Sequence, residues 1–197
     1  MTEAVTLRQL TGLPDSPSTL NDSTLVMIDC QNTYTQGILE LEGVQQALDA
    51  AATLLDRART AGTPIVHIMH DAGVGTPYDV TADIGQIVER VAPRGDEQVV
   101  VKNYPNSFVS TDLDERLRTI GRENLILAGF MTHMCINSSA RGAFSLGYRP
   151  TVVASATATR DLPGAGGVDA RALQAASLAS VADLFGVVVP DVAAIPD

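Results

Sequence analysis

The sequence predicts one α/β domain of the doubly wound (Rossmann-like) kind: three layers, with a six-stranded, mainly parallel sheet carrying helices on both faces. Three observations carry that expectation. Short uninterrupted apolar runs recur along the chain, the pattern of strands buried on both faces. Stretches with apolar residues at helical spacing lie between them, so strand and helix alternate. Gly62 and Gly147 stop two of those helical stretches just before the next apolar run. Such alternation implies right-handed crossovers between parallel strands.

Residues 1–22 mix Thr, Ser, Pro and Asp without a period and read as an extended lead-in; residues 23–197 read as a single domain. Leu25-Val26-Met27-Ile28 is the first strand. Val44, Ala47, Leu48, Ala51, Leu54 and Leu55 then define a helix over 43–61. Pro64 opens a strand over 65–69, and the Gly-, Asp- and Thr-rich segment 70–85 reads as a loop over the edge of the sheet. Val99-Val100-Val101 is the third strand, followed by a helix over 112–119 capped by Thr111 or Asp112. A fourth strand spans 125–128, a helix 135–146 and a fifth strand 151–154. After the Gly-rich loop 163–167 come a long helix over 169–185 and a last strand over 187–189. There is no internal repeat or interdomain linker.

The chain of 197 residues carries a formal net charge of −10 and a pI near 4.6. That balance excludes a nucleic-acid-binding domain, which needs clustered Lys and Arg against phosphates. It would also be repelled by an anionic membrane surface. No stretch approaches the ~20 apolar residues of a membrane span. The N-terminus has Glu3 before any Arg and no apolar run, so no secretory signal is expected. Two cysteines, Cys30 and Cys135, cannot build a disulfide framework, and a cytoplasmic protein with reduced thiols is the expectation. Charged residues are only 18%, below the usual figure of about 25%, which suggests surface covered in a homo-oligomer, a dimer or larger.

Doubly wound sheets bind ligands at the carboxyl ends of their strands, near the point where strand order reverses. Asp29 follows the first strand, Lys102 the third, and Cys135 the turn Gly129-Phe130-Met131-Thr132-His133-Met134 after the fourth. Singly, each has an ordinary structural explanation: a cap, a solvated rim, a small core residue. Their convergence on one edge of one sheet points to chemistry. A thiol at a helix N-terminus beside an ammonium is expected to have a lowered pKa, so Lys102 would help make Cys135 a thiolate. Asp29 would move the proton, and free amides of the turn would meet an oxyanion. The trio describes acyl transfer through a thioester.

These residues carry a resemblance. Val26-Met27-Ile28-Asp29-Cys30-Gln31-Asn32, Val101-Lys102-Asn103-Tyr104-Pro105-Asn106-Ser107-Phe108 and Gly129-Phe130-Met131-Thr132-His133-Met134-Cys135 are similar to the isochorismatase-like cysteine hydrolases. That superfamily includes nicotinamidases and N-carbamoylsarcosine amidohydrolases. The similarity runs in order and spacing from about residue 25 to 189. It implies a catalytic triad of Asp29, Lys102 and Cys135. It also implies a cis peptide between Phe130 and Met131, with the Met131 and Cys135 amides as the oxyanion hole. The activity it implies is hydrolysis of a small amide, carbamoyl or cyclic amide without a cofactor.

Other residues take lesser places. Metal-dependent nicotinamidases carry an Asp and two His after the second strand, where this chain reads His67-Ile68-Met69-His70-Asp71. Strand alternation puts His67 and His70 on opposite faces, so no metal site is expected. His70 is a candidate for the substrate pocket, with Gln31, Tyr34, Tyr104, Phe108 and His133. Cys30 should point away from Asp29 into the core. Arg160 and Asp161 read as a rim ion pair. Many relatives have an acid at the end of the fifth strand, where this chain has Ser155. Two rival readings keep the fold: hydrolysis of a vinyl ether with Asp29 as the acid, and a non-catalytic α/β binding or scaffold protein.

Overall fold

The computed structural model describes residues 4–164 and 166–197. Six strands form one sheet: β1 (Ser23–Ile28), β2 (Ile65–His70), β3 (Gln98–Lys102), β4 (Asn124–Phe130), β5 (Arg149–Ala158) and β6 (Val187–Val189), in the order β3-β2-β1-β4-β5-β6. Every adjacent pair is parallel. The expected doubly wound architecture is therefore present, and all of its strand pairs, rather than most, run the same way. The order reverses between β1 and β4, which opens a crevice at their carboxyl ends.

β1 shows how the sequence makes three layers. All six of its residues are buried, and its side chains alternate between two cores. Leu25 and Met27 join Leu48, Leu54 and Leu55 of α2 (Val44–Ala61) on one face. Val26 and Ile28 join Leu113 and Leu117 of α3 (Leu113–Ile120), Ala140 of α4 (Asn137–Ser145) and Val181 of α5 (Ala170–Ala182) on the other. A strand that packs on both faces has no polar side to alternate with, hence its unbroken apolar run.

The structure departs from the sequence reading in four places. The lead-in is not extended throughout: α1 (Leu7–Thr11) is a short helix held by a capping box between Thr6 and Gln9. Arg8 ties it down by donating to the Leu184 and Pro14 carbonyls. β5 runs four residues beyond the expected end, because a bulge shifts its register on β4 from Leu127↔Val152 to Gly129↔Thr157. α5 ends at Ala182, three residues short of the expected Phe185. The helix expected to begin at Cys135 begins earlier, as a π-helical turn over Thr132–Ile136 that runs into α4.

On the α2 face, His67 lies inside β2 with its Nε2 2.9 Å from Glu97 Oε2, and Arg59 of α2 donates to the same carboxylate at 2.7 Å. Against the desolvation of partial burial, hydrogen bonds from Arg59, the Arg94 amide and His67 hold the Glu97 carboxyl down at about 2. His67 is thus part of a brace between α2 and the start of β3, on the face opposite His70.

Gly129 fixes how closely β1 and β4 approach at the crevice. Its φ is +120°, and a Cβ there would lie 1.9 Å from the Ile28 carbonyl oxygen. Gly129→Ala must push apart the two strands that carry Asp29 and the Cys135 turn. The expected cost is about 3 kcal/mol, a fall in Tm of roughly 6–12 °C for a chain this size. Thermal unfolding followed by circular dichroism measures it, and an unchanged Tm would contradict the close-approach argument.

Candidate active site

Three strand ends meet at the crevice. Asp29 follows β1 with φ +50°, a left-handed conformation that Asp tolerates better than most residues and that recurs at functional sites. Its amide donates to the Ile68 carbonyl at 3.0 Å, so β2 holds the turn in place. Lys102 is the last residue of β3 and the register partner of His70, the last residue of β2. Its side chain therefore runs over the end of β2 toward β1. Cys135 sits in the π-helical turn after β4.

Lys102 is 0% exposed and Cys135 5%. The Lys102 ammonium lies 2.7 Å from Asp29 Oδ2, 3.1 Å from His70 Nδ1 and 3.4 Å from Cys135 Sγ. Asp29 is also wholly buried, and its carboxylate faces the Cys135 thiol as well as the ammonium. An acid and a thiol thus both contact one ammonium away from the surface. Lys102 is the one lysine among the 13 Lys and Arg residues of the chain, a signal the sequence carried in plain view.

The electrostatics correct one expectation. Burial pushes the Cys135 thiol up, the Asp29 carboxylate adds to that, and Lys102 opposes both. Burial likewise raises the Asp29 carboxyl against the pull of Lys102. The expected preformed thiolate is therefore not the favoured resting state. Removing a thiolate from water costs more here than one ammonium, already shared with a carboxylate, returns.

The other candidates fall into distinct places. Gln31 is fully buried and its amide is spent on backbone: Nε2 donates to the His70 and Gly85 carbonyls at 2.9 and 2.6 Å, and Oε1 accepts the His70 N–H at 2.8 Å. Tyr34 is buried, edge-on to Phe130, with its hydroxyl 3.2 Å from that of Tyr78. Phe108 stacks on Tyr148 with ring centroids 5.9 Å apart. Tyr104 is exposed. His133 is half-buried in the π-helical turn, with Nδ1 2.6 Å from Thr159 Oγ1. Thr132 donates to the Ala158 carbonyl from the same turn, so the end of β5 and the residue after it each anchor the turn. The Phe130–Met131 peptide is cis.

Cys30 packs in the α2-side core and plays no part in this cluster. Arg160 and Asp161 do not form the expected side-chain ion pair. The Asp161 carboxylate instead accepts the Ala170 N–H at 2.7 Å, satisfying a free amide at the start of α5, whose N-cap is Asp169. Ser155 donates its amide to the Pro190 carbonyl. Sequence reasoning missed Tyr78, which lies in the 70–85 segment edge-on to His70, ring centroids 4.8 Å apart. That segment is ordered by Asp79, whose carboxylate accepts the Gly75 and Thr81 amides. Among the described residues no group of three or more His, Cys, Asp or Glu is placed to hold a metal ion. No helix among them is long and apolar enough to cross a membrane.

Comparison with known proteins gives this geometry a context. The crystal structure of an isochorismatase from Pseudomonas putida superposes with a TM-score of 0.94 at 37% identity, covering 98% of this chain and all of that one. The secreted isochorismatase effector Isc1 of Verticillium dahliae is 35% identical over 183 residues, 92% of this chain and 95% of that protein. A maleamate amidohydrolase of Pseudomonas putida is 33% identical over 152 residues, 66% of this chain and 68% of that protein. An isochorismatase domain is matched over residues 23–190, and the chain belongs to the isochorismatase family of hydrolases.

Proposed function

We propose that this protein is a cysteine amidohydrolase acting on a small carboxamide, carbamoyl or cyclic amide. Cys135 is the nucleophile, Asp29 the general base and acid, and Lys102 the electrostatic partner of both. The observation that carries the reading is the contact of Lys102 Nζ with Asp29 Oδ2 and Cys135 Sγ at 2.7 and 3.4 Å in a buried site. A relative named for amide hydrolysis, the maleamate amidohydrolase, supports the choice of bond.

The raised thiol sets the order of events. Cys135 keeps its proton until the substrate carbonyl is in place, and Asp29 takes that proton as sulfur attacks. The carbonyl oxygen becomes an oxyanion, for which the backbone N–H groups of Met131 and Cys135 are the proposed donors. Their place supports this, since amides in the first turn of a helix have no intrahelical partner. Collapse of the adduct breaks the C–N bond, and the protonated Asp29 gives its proton to the departing nitrogen. Water then attacks the thioester with Asp29 again as base, releasing the acid and restoring the thiol.

A screen for ammonia release over small primary amides, ureas and lactams tests the reaction class. On an amide found this way, Cys135→Ala is expected to lower kcat by about 10³-fold or more, and the wild type to show the acyl-enzyme mass on Cys135 after rapid quenching. An amidase rate that survives the substitution overturns the nucleophile assignment. Ether cleavage by Asp29 alone would survive it, so a vinyl ether run in parallel separates the two chemistries.

The pH profile tests the base. Asp29 acts only when ionised, and burial raises its carboxyl. Activity should therefore fall on the acid side at a pH above the ordinary Asp value of about 3.9. The acid limb of kcat/KM measures this, and a limb at or below that value argues against a buried Asp29 as the base.

A further inference from the structure

Lys102 has three N–H donors and no exposure through which water could accept one of them. Two of its neighbours change during the proposed cycle. Asp29 gains and loses a proton, and the Cys135 sulfur passes from thiol to thioester. The remaining neighbour, His70 Nδ1 at 3.1 Å, takes no part in the bond changes. An ammonium whose other two partners alternate needs one that stays constant, or its position shifts at each step.

The structure holds His70 for that task in three ways, two on its backbone and one on its ring. Its backbone N–H and C=O are both taken by the Gln31 side chain, at 2.8 and 2.9 Å. The second Gln31 side-chain N–H goes to the Gly85 carbonyl, and the Gln31 backbone N–H donates to the Asp29 backbone carbonyl at 2.8 Å. The strand register sets His70 beside Lys102. Tyr78 packs edge-on against the imidazole and meets the Tyr34 hydroxyl behind it. Gln31 and His70, both expected to line the substrate pocket, thereby form one structural chain ending on the Lys102 ammonium.

We infer that His70 is a positioning residue: its unprotonated Nδ1 accepts a hydrogen bond from Lys102 and keeps the ammonium aimed between Asp29 and Cys135, while Gln31 keeps the imidazole in place. This rests on the role proposed above for Lys102. The ring must then carry its proton on Nε2. The charged and titratable groups facing it agree. Burial and the Lys102 ammonium of β3 disfavour the imidazolium; Asp29 after β1 and Asp71 in the following loop favour it. The hydroxyl of Tyr78 is neutral over the same range, its proton held more firmly by burial. The balance lies below the ordinary imidazole value. Protonation of His70 would remove the acceptor and set a second cation against the first.

The test uses the full chain, with iodoacetamide as a small probe of Cys135 followed by peptide mass, so it does not wait on the substrate. Wild type, His70→Ala, His70→Asn and Lys102→Met are compared between about pH 5 and 8, where imidazoles titrate. His70→Ala and Lys102→Met should each slow alkylation on the order of 10–100-fold. His70→Asn should recover most of the rate, because the Asn carbonyl oxygen can occupy the place of Nδ1, and its pH profile should lose the imidazole step while keeping the fall toward acid that Asp29 and the thiol impose. With a single lysine in the chain, ¹⁵N-lysine labelling gives one side-chain resonance. That resonance should move with pH in step with His70 in the wild type and stay still in His70→Asn.

A His70→Ala protein that alkylates at the wild-type rate with the wild-type pH profile overturns the inference, provided Lys102→Met is slowed. An asparagine variant as slow as the alanine one overturns it too, since a rescue by shape and acceptor is what positioning requires. Should Lys102→Met itself react like the wild type, the premise about Lys102 fails and the inference falls with it.

Discussion

The buried ammonium of Lys102 constrains everything around it. A lysine with no exposure would shed its proton or destabilise the fold unless charge and hydrogen bonds replace its hydration. Here the replacement is complete in kind: a carboxylate at 2.7 Å, an imidazole nitrogen at 3.1 Å and a sulfur at 3.4 Å. Each comes from a different part of the chain, and each is delivered by the parallel sheet. Asp29 follows β1, His70 ends β2, Lys102 ends β3, and the turn after β4 holds Cys135. Sheet order thus determines which groups meet, since the end of β2 lies between the origin of the ammonium and its carboxylate.

Close approach at the crevice depends on backbone as much as on charge. Gly129 lets β4 run against the Ile28 carbonyl, and Asp29 turns through a left-handed conformation immediately after. The π-helical turn that follows β4 is tethered through Thr132 to Ala158 at the end of β5 and through His133 to Thr159 just beyond it. The 70–85 segment is held through Gln31 and Asp79 rather than hanging over the sheet edge. The site is therefore set by strand ends and by side chains that bond to backbone, both stiffer than loops.

Much of this was legible in the sequence, for physical reasons that also explain what was not. Doubly buried strands announce themselves as apolar runs, so β1, β2 and β4 could be read nearly to their ends. β5 could not, because its last residues, Ser155 to Ala158, are small or polar and gain their strand conformation from a bulged pairing with β4. α1 rests on a capping box in an otherwise patternless stretch. Asp29, Lys102 and Cys135 were readable from their positions after strands. Gln31 was not readable as a clamp, since a side-chain amide that bonds only to backbone looks like any turn residue. The state of Cys135 was misjudged because a sequence shows a nearby cation and a helix start but not the depth of burial.

That depth also explains why a base-assisted thiol suits this site better than a standing thiolate. In the proposed mechanism the cluster starts as a carboxylate, an ammonium, a thiol and a neutral imidazole, a net charge of zero. In the proposed mechanism, once sulfur has attacked, the carboxyl is neutral and the negative charge has moved to the substrate oxygen. The ammonium is unchanged, so the net charge is zero again. In a medium of low polarity, moving a charge between two sites that are each compensated costs far less than creating one. A preformed thiolate beside the Asp29 carboxylate would put two anions against one ammonium before any substrate arrived. Lys102 can serve both ends of the transfer only if it does not move between them, which is the demand that a fixed, uncharged His70 meets.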